Sequence, residues 1–175
     1  MREPVPSIVV MGVSGTGKST VAEELSQRLG LGMVEGDDHH PQANVDKMAS
    51  GVPLDDDDRR PWLLELAAIL RAGPPTVVTC SALKREYRDL LREGVSEGVL
   101  FVHLDGTREV LMPRMTQRER HFMPPSQLDN QLATLEPLEP DEWGVVVDVT
   151  PPVDEVVAAA ESAVRAEIGR VRPTG

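Results

Sequence analysis

"VVMGVSGTGKST", residues 9–20, leads from an apolar run through a turn containing Gly12, Gly15 and Gly17 into a segment of helical character. Gly12, Gly17, Lys18 and Ser19 fit the pattern GxxxxGK[ST]. The flanks that give this pattern meaning are both present: a β-type run before it and an amphipathic helix after it. Glycines let successive backbone amides turn inward around an anion, and the helix N-terminus adds the positive end of its dipole. Gly12, Val13, Ser14, Gly15, Thr16, Gly17, Lys18, Ser19 and Thr20 are therefore read as a cradle for a nucleoside triphosphate. Lys18 would reach the β and γ phosphates and Ser19 would ligate Mg²⁺, so the expected cofactors are a nucleoside triphosphate and Mg²⁺.

Outward from this turn, β-type runs at 7–11, 33–35, 76–80, 100–105 and 143–149 alternate with segments of helical period. That alternation predicts a three-layer α/β/α domain around a five-stranded parallel sheet. A first helix over 18–29 stops at Gly30, and a second over 42–50 stops at Gly51. In the last segment Val153, Val157, Ala160, Val164 and Ile168 fall at spacings of three and four, predicting a helix that closes the sheet. The acidic run Asp55, Asp56, Asp57 and Asp58 before Pro61 and Trp62 suits a helix N-terminus, where carboxylates cap free amides. Residues 118–125 are polar, basic and proline-terminated between two helical patterns, as a mobile lid would be.

The 175 residues suffice for one domain with a sizeable core, and one domain over 1–175 is expected. A formal charge of -11 argues against nucleic acid or an anionic membrane as partner. No apolar run approaches the ~20 residues of a membrane span. With a start that lacks a signal-peptide pattern and a single cysteine, Cys80, a cytoplasmic protein is expected. An acidic protein that binds anions must concentrate its cations locally. Of the basic residues 15 are arginine, and the lysines are Lys18, Lys47 and Lys84. A GTPase would require an early DxxG and a late NKxD; the latter is absent and the former occurs only at Asp141 to Gly144, far too late. Motor and transporter ATPases carry an acidic residue after a strand to activate water, whereas the third β-run ends in Cys80 and Ser81. A small phosphotransferase fits better.

Three further strings carry a family resemblance: "GDDHHPQANVDKMASGVPLDDDDRRPWL" (36–63), "CSALKREYRDLLR" (80–92) and "RERHFMPPSQLDNQLATLE" (118–136). With the glycine-rich turn and the last β-run they resemble the gluconokinase family of P-loop carbohydrate kinases over nearly the whole chain. The resemblance implies ATP-dependent phosphorylation of D-gluconate at its 6-hydroxyl, on a P-loop fold of the nucleoside-monophosphate-kinase type. It also implies a lid over about 115–135 and a substrate region over about 36–64, and a homodimer is possible from the family alone.

Phosphoryl transfer to an alcohol needs a carboxylate near the hydroxyl proton, Mg²⁺, and cations around the moving group. Asp37, after the second β-run, is the candidate to orient and deprotonate the hydroxyl, with Asp38 the better helix cap. The carboxylate of a sugar acid needs a dedicated cation, for which Arg59 is the first candidate because it matches the arginine of the family's DR.PWL string. Lys84 and Arg88, one turn apart, could face the same cleft, joined by Lys47, while His40 could bond substrate hydroxyls. His39 and His40 lack a third ligand for a metal site, and direct transfer leaves Cys80 without a covalent role. By resemblance Arg114 borders adenine, Arg118 touches the phosphates during transfer, and residues 150–153, Pro151 among them, contact the adenine edge. Arg120 and Asn130 depart from the family pattern, and His121 of the HF pair has no assigned role. Two rivals remain: a kinase of another small acid such as shikimate, and a nucleotide-binding regulatory module without turnover.

Overall fold

The computed structural model describes residues 5–116 and 125–170. Its strands are β1 (Ser7–Met11), β2 (Gly32–Glu35), β3 (Thr76–Thr79), β4 (Val99–Asp105) and β5 (Gly144–Asp148). Its α-helices are α1 (Lys18–Leu29), α2 (Gln42–Ala49), α3 (Asp56–Ala72), α4 (Arg85–Arg92), α5 (Arg108–Thr116), α6 (Pro125–Thr134) and α7 (Val153–Ile168). All pairings are parallel and the strand order is β2-β3-β1-β4-β5. Every residue of β1 and of β3 is buried, which requires helices on both faces of the sheet and accounts for the unbroken apolar runs that mark these strands in the sequence. Helices α1 and α7 pack together, as do α3 and α4. Among the described residues no helix is long and apolar enough to cross a membrane.

Strand β1 lies at the centre, with β3 on one side and β4 on the other. The order reverses there, and a ligand crevice opens at the carboxyl ends of the strands at such a reversal. The turn after β1 therefore sits at the fold's natural binding position. Gly12 holds φ 147, and a Cβ there would stand 2.7 Å from the Leu104 carbonyl oxygen. Glycine is required at this point. Gly36 is required for another reason: a Cβ there would stand 1.9 Å from the Thr79 oxygen, so only glycine lets the 3-10 turn Gly36–His39 leave β2 tight against β3.

Element ends explain the remaining boundaries. Gly30 ends α1 at φ 69. Asp55 caps α3: its carboxylate accepts from Asp58 N–H at 2.7 Å while the Asp58 carboxylate accepts from Asp55 N–H at 3.0 Å. The acidic run is thus a cap plus a first helical turn. The expected cap for α2 is different in the structure: Asp38 lies in the 3-10 turn, and Pro41 precedes α2 with no side-chain cap. In α7 the buried stripe is Val156, Val157, Ala160 and Val164, with Val153 exposed because it begins the helix at the sheet's edge.

Candidate active site

A cavity of about 610 Å³ opens above the carboxyl ends of the strands, lined on one side by Ser14, Gly15, Gly17, Lys18 and Ser19 and on another by Asp37, His40 and Arg59. The phosphate loop arrives preformed. Thr16 Oγ1 donates to the Val13 carbonyl at 2.9 Å, and Lys18 Nζ folds back to the carbonyls of Gly12 (3.1 Å) and Val13 (3.0 Å). Thr20, exposed in the first turn of α1, lines neither this cavity nor the second one described below.

Beside the loop stands a group the sequence reading missed. Glu35, the last residue of β2, accepts from Ser19 Oγ at 2.7 Å and from Thr79 Oγ1 at 2.5 Å, and Thr79 Oγ1 itself accepts from Gly36 N–H at 3.0 Å. The third β-run ends in Cys80 and Ser81, and a carboxylate reaches the loop hydroxyl of Ser19 from the edge strand β2. Its signal was the lone acidic residue closing an otherwise apolar strand. Hydroxyl and carboxylate oxygens are the donor chemistry Mg²⁺ accepts, and few protein ligands are needed when phosphates supply the rest. Among the described residues no group of three His, Cys, Asp or Glu side chains is placed to hold a metal ion.

The wall that follows Gly36 is built around Trp62. Its Nε1 donates to the Gly36 carbonyl at 2.7 Å, and its ring stacks on His40 with centroids 4.0 Å apart. The His40 tautomer follows from its neighbours. Asn44 Nδ2 donates to the Asp58 carbonyl at 2.8 Å, which fixes the amide orientation, and its second hydrogen faces His40 Nδ1 at 3.2 Å. Nδ1 is thus the acceptor, and the proton lies on Nε2, 3.9 Å from Asp37 Oδ1. Burial holds the His40 pKa below its ordinary value, with Asp37 opposing and Arg59 reinforcing. A neutral donor therefore stands beside the candidate base. Asp37 itself keeps 77% of its side chain exposed, open to the cavity.

Arg59 lines the same cavity and is aimed by Tyr87. Its Nη1 donates to Tyr87 Oη at 3.0 Å, and its guanidinium lies 5.5 Å from the ring centroid. Tyr87 Oη donates in turn to the Asp56 carboxylate. Hydrogen bonds from Tyr87 and Lys84 hold the Asp56 pKa down. The sequence reading missed Tyr87 because an aromatic at helical spacing looks like core.

The remaining predicted cations are placed differently. Lys84 Nζ pairs with Asp56 at 3.0 Å and Lys47 Nζ with Asp58 at 2.7 Å, and neither lines the cavity. Arg88 is a correction. It faces neither the cleft nor water: it is 0% exposed, with Nε 2.7 Å and Nη2 3.0 Å from the Glu142 carboxylate. Nη1 donates to the Ala82 carbonyl at 2.9 Å and Nη2 to the Pro137 carbonyl at 3.2 Å. Ala82 holds φ 46, unusual for a residue with a side chain, directly after Ser81 of the cavity wall. Arg88 pins this bent segment from within the core, where no ligand reaches it. Among other candidates, His39 faces Glu65 at 3.0 Å, and burial pushes the Cys80 thiol up to about 12, which leaves no thiolate nucleophile.

A second cavity, adjoining the phosphate loop at Gly15 and Gly17, is lined by Thr16, Val21, Arg114, Val149, Pro151 and Val153. Arg114 Nη2 donates to the Val149 carbonyl at 2.8 Å, which spreads the guanidinium along this wall. Arg118, Arg120 and His121 lie outside the described residues. Asn130 lines the first cavity from α6, together with Gln131, whose Oε1 accepts from Ser14 N–H at 2.7 Å and from Ser14 Oγ at 3.0 Å.

Fold and site together define a P-loop kinase. A family profile described as an AAA domain matches residues 8–138. The chain is 53% identical to the gluconokinase of Gluconobacter oxydans (strain 621H), with 77% of this chain and 78% of that one covered. It is 45% identical to the thermoresistant gluconokinase of Escherichia coli (strain K12), covering 86% and 89%. Its structure resembles that of a gluconokinase from Sinorhizobium meliloti 1021 with a TM-score of 0.87 at 48% identity, over 95% of this chain and 94% of that one. The chain belongs to the gluconokinase family.

Proposed function

We propose that this chain transfers the terminal phosphoryl group of ATP to the 6-hydroxyl of D-gluconate, giving 6-phospho-D-gluconate and ADP. The observation that carries the proposal is that the phosphate loop, Asp37 and Arg59 line one cavity. Its volume of about 610 Å³ is of the size that takes a small acid beside a triphosphate end. Asp37 accepts the hydroxyl proton as the O–P bond forms and the bond from the γ phosphorus to the bridging oxygen breaks, leaving ADP. His40 Nε2–H, beside Asp37, donates to a hydroxyl of the acceptor. Arg59, held by Tyr87, takes the acid's carboxylate and fixes which end of the acceptor meets the phosphate. Lys18 swings from its carbonyl contacts to the moving phosphoryl oxygens, exchanging neutral acceptors for an anion. Bound Mg²⁺ would draw charge from the β and γ oxygens, and Ser19 with Glu35 are the oxygens placed to hold it. Arg114 and Pro151 border the adenine.

The test is ADP release measured against a panel of D-gluconate, other sugar acids, shikimate and neutral polyols. Turnover with gluconate at the highest kcat/KM is expected. Faster turnover of another acid would reassign the acceptor, and no acceptor-dependent turnover would remove the kinase reading. Sedimentation of the purified chain tests whether it forms the homodimer that the family makes possible.

A further inference from the structure

Helix α6 carries Gln127, Asn130, Gln131 and Thr134 at spacings of three and four, and all of them line the cavity that Val45, Met48, Ala49 and Val52 also line. Gln131 reaches from this stripe to the phosphate loop. A backbone N–H can only donate, so the atom 2.7 Å from Ser14 N must be the carboxamide oxygen, and this settles the side chain's orientation. Ser14 Oγ donates to the same oxygen at 3.0 Å. The –NH2 end is therefore turned away from Ser14, and among the described residues no hydrogen bond ends on it. Lys18 Nζ, which meets the terminal phosphate, rests on the Gly12 and Val13 carbonyls immediately before Ser14. Gln131 lines the same cavity as Gly15, Gly17, Lys18 and Ser19, so its amide hydrogens belong to the space that the loop shares with the terminal phosphoryl group.

The helix is held in place on both sides. Gln127 Nε2 donates to the Met48 carbonyl at 3.1 Å, and Glu136 N–H, just past the helix end, donates to the Leu83 carbonyl at 2.7 Å. A donor on an element tethered to both α2 and the loop after β3 costs little reorganisation when a charge arrives.

We propose that Gln131 is a catalytic residue: Ser14 holds its carboxamide oxygen while its Nε2 donates to the terminal phosphoryl group of ATP. The inference rests on the phosphotransfer reading above but not on the identity of the acceptor. It distinguishes the two nucleotides, because ADP has no terminal phosphoryl for Nε2 to meet.

Calorimetric titration of Mg²⁺-ADP and of a Mg²⁺-bound, methylene-bridged ATP analogue into wild type and Gln131→Met provides the test. Loss of a hydrogen bond to a charged group should weaken the analogue about 10- to 100-fold. ADP should stay within about twofold, and kcat should fall with the analogue's affinity while KM for the acceptor holds. Equal loss for both nucleotides would reduce Gln131 to a structural contact. Unchanged affinity for both would remove it from the mechanism. Tighter binding of the analogue would mean that the side chain occupies the phosphate's own place. If Gln131→Met does not fold, Gln131→Ala, which removes the donors without adding charge, takes its place in the same titrations, and each outcome carries the same meaning. Since neither titration contains an acceptor, failure of this inference is separable from failure of gluconate as substrate.

Discussion

Lys18, Asp37 and Arg59 occupy one cavity, yet each should fail differently when altered. Lys18→Ala should abolish transfer while leaving the melting temperature nearly unchanged, because the carbonyls of Gly12 and Val13 that hold Nζ border an open cavity and can turn to water instead. Asp37→Asn should lower kcat by roughly 10²-fold or more with ATP binding intact, which steady-state rates and nucleotide titration would show. Near-normal turnover would remove Asp37 from proton transfer. Arg59→Ala should raise KM for the acid and leave kcat less affected, since it would remove a contact made equally in ground and transition states. Tyr87→Phe should follow it in the same direction but more weakly, because it keeps the ring under Arg59 and deletes the hydroxyl that accepts from Nη1. A Tyr87→Phe enzyme with unaltered KM would show that Arg59 needs no such support.

Among the elements, α4 shows how a sequence motif can be read correctly as special and wrongly as functional. Its string puts Lys84 and Arg88 one turn apart, in register for a cleft, but α4 packs on α3 and turns Arg88 inward to Glu142. No local pattern reveals that partner, which lies 54 residues further along. Arg88→Met should leave the Glu142 carboxylate buried with one cation fewer, costing about 3–5 kcal/mol and lowering the thermal midpoint, with KM for the acid unchanged in whatever fraction folds. A raised KM at unaltered stability would restore the substrate role instead. Glu35 is the converse case. Nothing in the strand itself links it to Ser19; the pairing of β2 with β3 brings Thr79 and Glu35 level and turns the carboxylate to the loop. By contrast, the first helix, the acidic cap of α3 and the phosphate loop were legible because each depends on residues within a few positions of one another.

For the whole molecule, the buried His40, His103 and Glu142 set the acid limit of stability. Burial keeps the His103 imidazole below its ordinary value, with Asp105 opposing and Arg88 reinforcing, and neither ring nitrogen has a hydrogen-bond partner among the described residues. The unfolded chain therefore takes up that proton first as pH falls, so stability should decline from about pH 6.5 downward. Burial also pushes the Glu142 carboxyl up, but hydrogen bonds from Arg88, the Glu139 backbone and Arg92 outweigh it and hold the pKa at about 2. A second loss should begin near the ordinary value of 4.5 and run toward 2. Denaturant midpoints measured from pH 8 to pH 3 should show both declines, and His103→Phe should reduce only the first, leaving the share that His40 contributes. A flat profile down to pH 5 would mean that both His40 and His103 find partners when protonated. The sequence by itself determined the alternating strands and helices, the phosphate loop and the acidic helix cap, because periodicity, glycine freedom and capping act over a few neighbouring residues. Which side chains meet above the sheet was decided only by tertiary structure: strand order joins Glu35 to Ser19, and helix packing sends Arg88 inward and Gln131 to Ser14, through contacts between positions that the chain itself keeps far apart.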